Sequence, residues 1–253
     1  MIALSLFVAS FLAWFLSMLA GGGSPFILIP IISLLLGTQA VAPVITTGLL
    51  IGNAQRGLVF WDYVDWSVTA WYVPGAVLGA LVGCYGLTQI HVEGLQLLLG
   101  VGLLAMVVNY LLPSKDIHPK DIQSTIKTWY FLPLALVNAI GSGLIGSTGP
   151  VMNPLYLNYG LEKETMVATK AFNKAVLHLV KLMAYTAFGS LSREYLIYGL
   201  VIGLGAIPAN WLGKQVLAKM SAQQFRQLVF AFVAVSGVAM IWQQRHFLTI
   251  WFM

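Results

Sequence analysis

Apolar runs of membrane-spanning length recur along almost the whole chain, separated by short polar or glycine-rich interruptions. An α-helix needs about 20 apolar residues to cross the hydrocarbon core of a bilayer. The first run has no basic segment before it, so we expect a retained span and not a cleaved signal peptide. The predicted fold class is an all-α polytopic membrane protein. The pattern predicts ten helical segments, near 2–20, 25–36, 40–61, 67–87, 93–112, 128–146, 151–159, 164–188, 194–213 and 222–243.

The same order of features occurs twice in the chain. A glycine-rich segment, GGGSP at 21–25 or GSTGP at 146–150, precedes a short apolar piece that contains a proline and ends at a glycine. Nine residues after that glycine stands a threonine, Thr46 or Thr169, and a long helix runs on. The copies are offset by 123 to 124 residues, which indicates an internal duplication.

We assign the first repeat to 1–112, a linker to 113–127 and the second repeat to 128–253. Each repeat then has five segments, one of which is too short to cross a membrane. As helices, 25–36 and 151–159 are about 18 Å and about 14 Å long, against a hydrocarbon core of roughly 30 Å. We expect both to be broken or re-entrant half-helices inside the protein.

Charge in the predicted loops distinguishes two arrangements of the repeats. Inverted repeats put seven basic residues on one side and two, Arg193 and Arg245, on the other. Parallel repeats with four crossings each split them four against five. Cytoplasmic loops carry an excess of Lys and Arg, which favours inverted repeats, a cytoplasmic linker and both termini outside. The seven basic residues are Lys115, Lys120, Lys127, Lys163, Lys214, Lys219 and Arg226.

Composition excludes several function classes. The chain is 59% hydrophobic and 8% charged, whereas a soluble domain carries roughly a quarter charged residues. The net charge of +5 is therefore interpreted by loop position and not as a nucleic-acid signal. A single cysteine rules out an intramolecular disulfide, and the four histidines lack metal-ligand spacing. No nucleophile and base form a recognisable pair, so we predict no enzyme, no catalytic residue, no metal and no cofactor.

The duplicated segments resemble the sulfite exporter TauE/SafE family, also called the 4-toluene sulfonate uptake permease family. The resemblance covers nearly the whole chain. It implies a transporter of small anions, often sulfur oxyanions or organosulfonates, in the inner membrane of a bacterial cell. The interrupted second glycine cluster and the lysine-rich helix after it depart from the family pattern, so the family name does not fix the anion. The resemblance rests on GGGSPFILIP with the step from Ala42 to Thr47, on GSTGPVMNPLYLNYG with VATK at 167–170, and on GAVLGALVG at 75–83.

Four basic side chains form a stripe on the helix after the second break. Lys170, Lys174, His178 and Lys181 share an arc of about 80°, with Asn173 at its edge. A cation at the bilayer centre costs at least about 2.5 kcal/mol, so it needs a partner or water. All eight acidic residues map to span ends or loops, which leaves an anionic ligand as the partner. The two outer lysines have a second interpretation, in which each side chain snorkels to the nearer interface.

Further candidates surround this stripe. The matching helix of the first repeat offers Thr46, Asn53 and Arg56, although snorkelling explains Arg56 equally well. The two breaks offer hydroxyl groups and helix N-termini, which attract anions. The alternative is that glycines only allow helices to pack closely, which is how we interpret the run at 75–83. The break residues are Gly22, Gly23, Ser24, Ser147, Thr148 and Gly149.

We therefore predict a secondary transporter that exports a small anion, with a sulfur-containing oxyanion or organosulfonate as the expected substrate. Two alternatives remain open: an anion channel lined by the same stripe, and a non-transporting membrane subunit of a larger complex. The expected partners are a small inorganic or organic anion, membrane lipid and a coupling ion, either proton or sodium. The sequence leaves formation of a homo-oligomer undecided.

Overall fold

The computed structural model describes residues 1–89, 101, 104–105, 107–108 and 126–243. Within these ranges the chain is helical and contains no strand. The predicted segment near 93–112 and the linker 113–127 lie largely outside the described residues. The α-helices with defined bounds are α1 (Ile2–Leu19), α2 (Ser24–Leu36), α3 (Thr38–Val59), α4 (Trp66–Gln89), α5 (Phe131–Ile145), α6 (Asn153–Tyr159), α7 (Lys163–Ala187), α8 (Arg193–Lys219) and α9 (Ala222–Gln243).

Helix α8 is the one element whose end differs clearly from the prediction, because it continues to Lys219 instead of ending near Gly213. This glycine is a packing position and not a helix stop, since a Cβ there would come within 2.7 Å of the Met18 side chain. The next residue, Lys214, extends the helix and donates to the carbonyl oxygen of Val59 at 3.3 Å. The other described helices begin and end within three residues of the predicted positions.

Four helical stretches are long and apolar enough to cross a membrane, by length and composition. Large apolar side chains on the helices point outward, among them Leu34 (86% exposed) and Trp211 (62% exposed). Such a surface suits lipid, because a soluble monomer rarely exposes large contiguous apolar patches. Helices α3 and α7 are also long, but both carry buried polar residues and pack against each other inside the protein. The four stretches are Ile2–Leu19, Trp66–Leu87, Thr128–Ile145 and Arg193–Lys219.

Six of the helices form two groups of three, and the helices within each group run parallel to one another. Helices α1 and α3 both run parallel to α8, while α5 and α7 both run parallel to α4. In each case the contacts advance along both helices in the same direction. The pairs are Ser10–Ile202 and Met18–Gly213 for α1 with α8, Thr47–Gly199 and Ile51–Gly203 for α3 with α8, Gly75–Leu132 and Gly83–Ile140 for α4 with α5, and Asp65–Thr169 and Tyr85–Phe188 for α4 with α7.

The two groups run in opposite directions where α3 meets α7. The C-terminal end of α3 lies beside the N-terminal half of α7, since a Cβ on Gly57 would contact the backbone of Phe172 at 3.5 Å. The N-terminal half of α3 lies near the other end of α7. There Ala42 faces Gly146, whose carbonyl oxygen accepts from Lys181. Helices α3 and α7, to which the sequence analysis assigns matching positions in the two predicted repeats, therefore run antiparallel.

Helices α4 and α5 touch backbone to backbone along a seam of glycines. A Cβ added to Gly75, Gly79 or Gly83 would collide with a backbone carbonyl oxygen of α5. Small residues at such positions allow two helices to approach closely. The seam holds the α4–α5 pair together in the way that the sequence interpretation of residues 75–83 predicts.

The glycine seam gives a stability prediction. Gly79→Ala should lower the thermal unfolding midpoint, because overpacking a tight contact costs about 1–3 kcal/mol. Gly86→Ala, two turns further along α4, is the matched control, since its Cβ would meet only the flexible end of Leu144 at 3.0 Å. Thermal unfolding of both purified variants in detergent measures the difference. Equal midpoints would contradict the role of the seam.

Candidate functional site

Two buried breaks interrupt the helices on which the site is built. The first separates α1 from α2, where Gly21, Gly22 and Gly23 have φ of 63°, 121° and 118°. Side chains disfavour this left-handed backbone, which explains why three glycines follow one another. The second break separates α5 from α6, and Gly146 and Gly149 have φ of 86° and 57° there. The chain therefore reverses direction twice inside the protein.

A cavity of about 30 Å³ lies between the first break, α3 and α7. Since one water requires about 10–15 Å³ of such space, the cavity has room for about two waters. Most of the predicted site residues line it, and they come from both sequence repeats. Those lining residues are Gly22, Gly23, Ser24, Asn53, Arg56, Ser147, Gly149, Lys170, Lys174 and His178.

Among the described residues, four basic side chains and no carboxylate line the cavity. Arg56, Lys170, Lys174 and His178 are 4%, 6%, 5% and 1% exposed. The Arg56 side chain therefore lies in the protein interior. The snorkelling interpretation would instead require it to reach an interface. Burial at this level removes most of the water that would stabilise a positive charge.

The acidic residues in the described part of the chain do not line the cavity. Asp62, Asp65, Glu162, Glu164 and Glu194 all lie in loops or in the first turn of a helix. Two ion pairs occur among the described residues: Glu162 pairs with Arg226 and Glu164 with Lys163, each at 3.5 Å. The remaining three acids, Glu93, Asp116 and Asp121, lie outside the described residues.

Neutral groups hold the Arg56 guanidinium in place. Its Nε and Nη2 atoms donate to the side-chain oxygen of Asn210, at 2.9 and 2.7 Å. Nη2 also donates to the backbone oxygen of Trp14 at 3.3 Å, and Nη1 to the hydroxyl of Ser17 at 3.4 Å. The guanidinium carbon lies 4.7 Å from the centroid of the Trp14 ring. These contacts satisfy the donors without neutralising the charge.

Lys170 is also bound by neutral oxygens. Its ammonium donates to the backbone oxygen of Gly21 at 2.7 Å and to the side-chain oxygen of Asn153. The Asn153 amide in turn donates to the backbone oxygen of Ala20 at 3.5 Å. Lys170 therefore ties α7 to the first break, and no carboxylate of the described residues pairs with its ammonium.

Lys174 differs from its neighbours because its ammonium has no hydrogen-bond partner among the described residues. The Nδ1 atom of His178 likewise has none there. Buried polar groups in proteins are nearly always hydrogen-bonded, so an unpartnered buried ammonium requires an explanation. Both side chains line the cavity, where an unpartnered donor is available to a ligand.

Four predicted site residues do not line the cavity. Lys181 lies beyond it and donates to the backbone oxygens of Ser142 (2.8 Å) and Gly146 (2.5 Å). The Asn173 amide donates to the Tyr156 hydroxyl at 3.3 Å. The remaining two are Thr148, whose hydroxyl donates to the Asn138 side chain at 2.6 Å, and Thr46, which is buried on α3.

Sequence reasoning missed the asparagines that position the cations. Asn210 lies in the apolar helix α8, and its amide also donates to the Gly52 carbonyl (2.9 Å) and to the Gln55 side chain (2.7 Å). Asn153 lies just after the second break, at the start of α6. An uncharged amide inside an apolar run was the available signal for both positions.

Comparison with known proteins supports a family assignment. A family model described as "Sulfite exporter TauE/SafE" matches residues 6–240 of the 253. No curated protein and no solved structure matches the chain.

The hydrogen bonds at the site predict different consequences for two lysines. Lys181→Met should destabilise the protein, because buried carbonyl oxygens left without a donor cost about 1–3 kcal/mol each. Lys174→Met should be neutral or stabilising, because it removes a buried charge that has no partner. Thermal unfolding of both variants without added anion makes the comparison. A greater loss in Lys174→Met would mean that this ammonium has a structural partner.

Proposed function

The chain belongs to the sulfite exporter TauE/SafE family, and we propose that it is a secondary transporter that exports a small sulfur-containing oxyanion through the cavity between α3 and α7. TauE/SafE is a family of transporters, and the apolar helices identify the chain as an integral membrane protein. The observation that carries the proposal is the unpartnered ammonium of Lys174 beside three other buried basic side chains.

The energetics of buried charge support an anionic occupant. A cation at the bilayer centre costs at least about 2.5 kcal/mol on insertion scales, and like charges around one cavity add repulsion. The described carboxylates lie in loops or first helical turns and cannot offset this cost. A bound anion can, and it would accept charge-assisted hydrogen bonds from the Lys174 ammonium.

The first break adds a second attraction for an anion. Helix α2 begins at Ser24, beside the cavity, and has 13 residues. The N–H groups at the start of a helix have no intrahelical partner, and the helix dipole places partial positive charge there. The Ser24 hydroxyl supplies a further donor at this end. Paired interruptions in two repeats are also where transporters of this general design place their substrates.

The size of the cavity favours a small inorganic oxyanion over an organosulfonate. Room for about two waters suffices for an anion of a few heavy atoms, whereas an aromatic sulfonate requires a much larger space. The positively charged lining favours an anion over a neutral or cationic solute, and the small volume favours an anion of few atoms. A sulfite-like anion meets both conditions.

We also propose that the two repeats are inverted across the membrane of a bacterial cell. Antiparallel packing of α3 against α7 supports inversion, because these are the matching helices of the two repeats. The basic residues near the end of α3 and the start of α7 support a cytoplasmic location for that side. They are Lys163, Lys214, Lys219 and Arg226.

Anion binding tests the proposed function. Sulfite should bind to the wild-type protein, and Lys174→Met should lower its affinity tenfold or more, equivalent to at least about 1.4 kcal/mol. Asn210→Asp should also lower affinity tenfold or more, because a carboxylate would neutralise Arg56. This variant also loses the amide's hydrogen bonds to the Gly52 and Gln55 oxygens, so its affinity is read only where thermal unfolding shows a folded protein. Lys214→Met is the control, since Lys214 bonds the Val59 carbonyl outside the cavity.

Calorimetric titration with sulfite, sulfate and toluenesulfonate measures the anion affinity of the wild type and of the three variants. Unchanged sulfite affinity in both cavity variants would contradict the proposed site. Absence of binding by any of these anions to the wild type would contradict the proposed function itself.

Cysteine labelling tests the inversion. Cys84 is the single cysteine in the chain and is buried, so an introduced cysteine can be labelled selectively. Tyr63→Cys, between α3 and α4, and Glu194→Cys, in the first turn of α8, mark the equivalent positions after α3 and after α7. A membrane-impermeant maleimide added to intact cells should label only the second position. Labelling of both positions, or only of the first, would contradict the proposed orientation.

A further inference from the structure

Lysines from α7 reach the carbonyl end of both broken helices. Helix α1 ends just before Gly21, whose oxygen accepts from the Lys170 ammonium at 2.7 Å. Helix α5 ends just before Gly146, whose oxygen accepts from the Lys181 ammonium at 2.5 Å. The same pairing of a lysine with a helix end therefore occurs twice, once at each break.

Each ammonium has more than one oxygen around it. Besides the Gly21 carbonyl, Lys170 contacts the side-chain oxygen of Asn153. Besides the Gly146 carbonyl, Lys181 contacts the backbone oxygen of Ser142 at 2.8 Å and its hydroxyl at 3.2 Å. Neutral backbone and side-chain oxygens are the groups that take up an alkali cation in a protein interior.

The carbonyl end of a helix attracts cations because its last oxygens lack intrahelical donors and carry partial negative charge. In transporters with discontinuous helices, unwound carbonyls and the C-terminal ends of half-helices hold the coupling Na⁺ or H⁺, while the N-terminal ends face the anionic substrate. Here the start of α2 faces the cavity, and both helix C-terminal ends face a lysine.

We infer that Lys170 and Lys181 occupy the positions a coupling sodium ion would take, so that the anion is bound and moved without Na⁺. This inference rests on the proposed function. Both ammonium groups belong to the chain, so they donate to these oxygens without an ion having to bind.

Replacement of Na⁺ in the wild-type protein is the first test. Sulfite affinity and sulfite flux in proteoliposomes should stay within twofold when Na⁺ is exchanged for N-methylglucamine at constant ionic strength. A tenfold or greater loss would overturn the inference while leaving the proposed transport function intact. If the wild type binds no anion in either medium, the proposed function fails instead.

Chemical rescue is the second test. In Lys181→Ala the vacated oxygens should accept a small cation, so Na⁺ or butylammonium should raise the unfolding midpoint by about 3 °C or more relative to N-methylglucamine. Lys170→Ala should behave alike and serves as the second variant if Lys181→Ala does not fold. Lys214→Ala is the control, because its ammonium bonds a single carbonyl outside the breaks. Absence of a cation-specific shift in the folded variants would overturn the inference.

Discussion

Buried positive charge that no carboxylate of the described residues neutralises is the constraint on which the rest of the structure depends. The basic side chains of Arg56, Lys170, Lys174 and His178 surround one cavity, and none of the described carboxylates lines it. A protein can bury charge at this depth only by surrounding it with hydrogen-bond acceptors or by leaving room for a counter-ion. Amide and carbonyl oxygens hold the first two side chains, and the Lys174 ammonium, which has no hydrogen-bond partner among the described residues, is the group to which we propose that the anion binds. The use of asparagine instead of aspartate keeps the site positive.

The helix breaks and the antiparallel helices follow from the same constraint. Polar groups can be concentrated inside a membrane protein only where other protein elements exclude lipid, which is why the polar side chains of α3 and α7 at the cavity are buried between helices. Each break supplies a helix start, which suits an anion, and a helix end, which suits a cation. The lysines of α7 meet the ends, and the start of α2 faces the cavity.

Much of the fold could be predicted from the sequence because the hydrophobic pattern reports helix positions directly. The same periodicity identified the stripe on α7, since residues at helical spacing share a face. The periodicity could not indicate which residues of the stripe reach the cavity and which lie beyond it. Lys174 and Lys181 lie two turns apart on one face, yet the first lines the cavity and the second reaches past it to Gly146. Nor could it identify Asn210, because the partner of Arg56 lies on a different helix, 154 positions along the chain.

The position of the anion tests the central claim most directly. Selenite has the charge and shape of sulfite, and selenium scatters X-rays anomalously. Crystals of the protein grown with selenite should show one anomalous peak in the cavity, within about 4 Å of the Lys174 ammonium and near the start of α2, and the peak should be much weaker in Lys174→Met at the same selenite concentration. An anomalous peak only at the protein surface, or one of equal height in the cavity of Lys174→Met, would contradict the account.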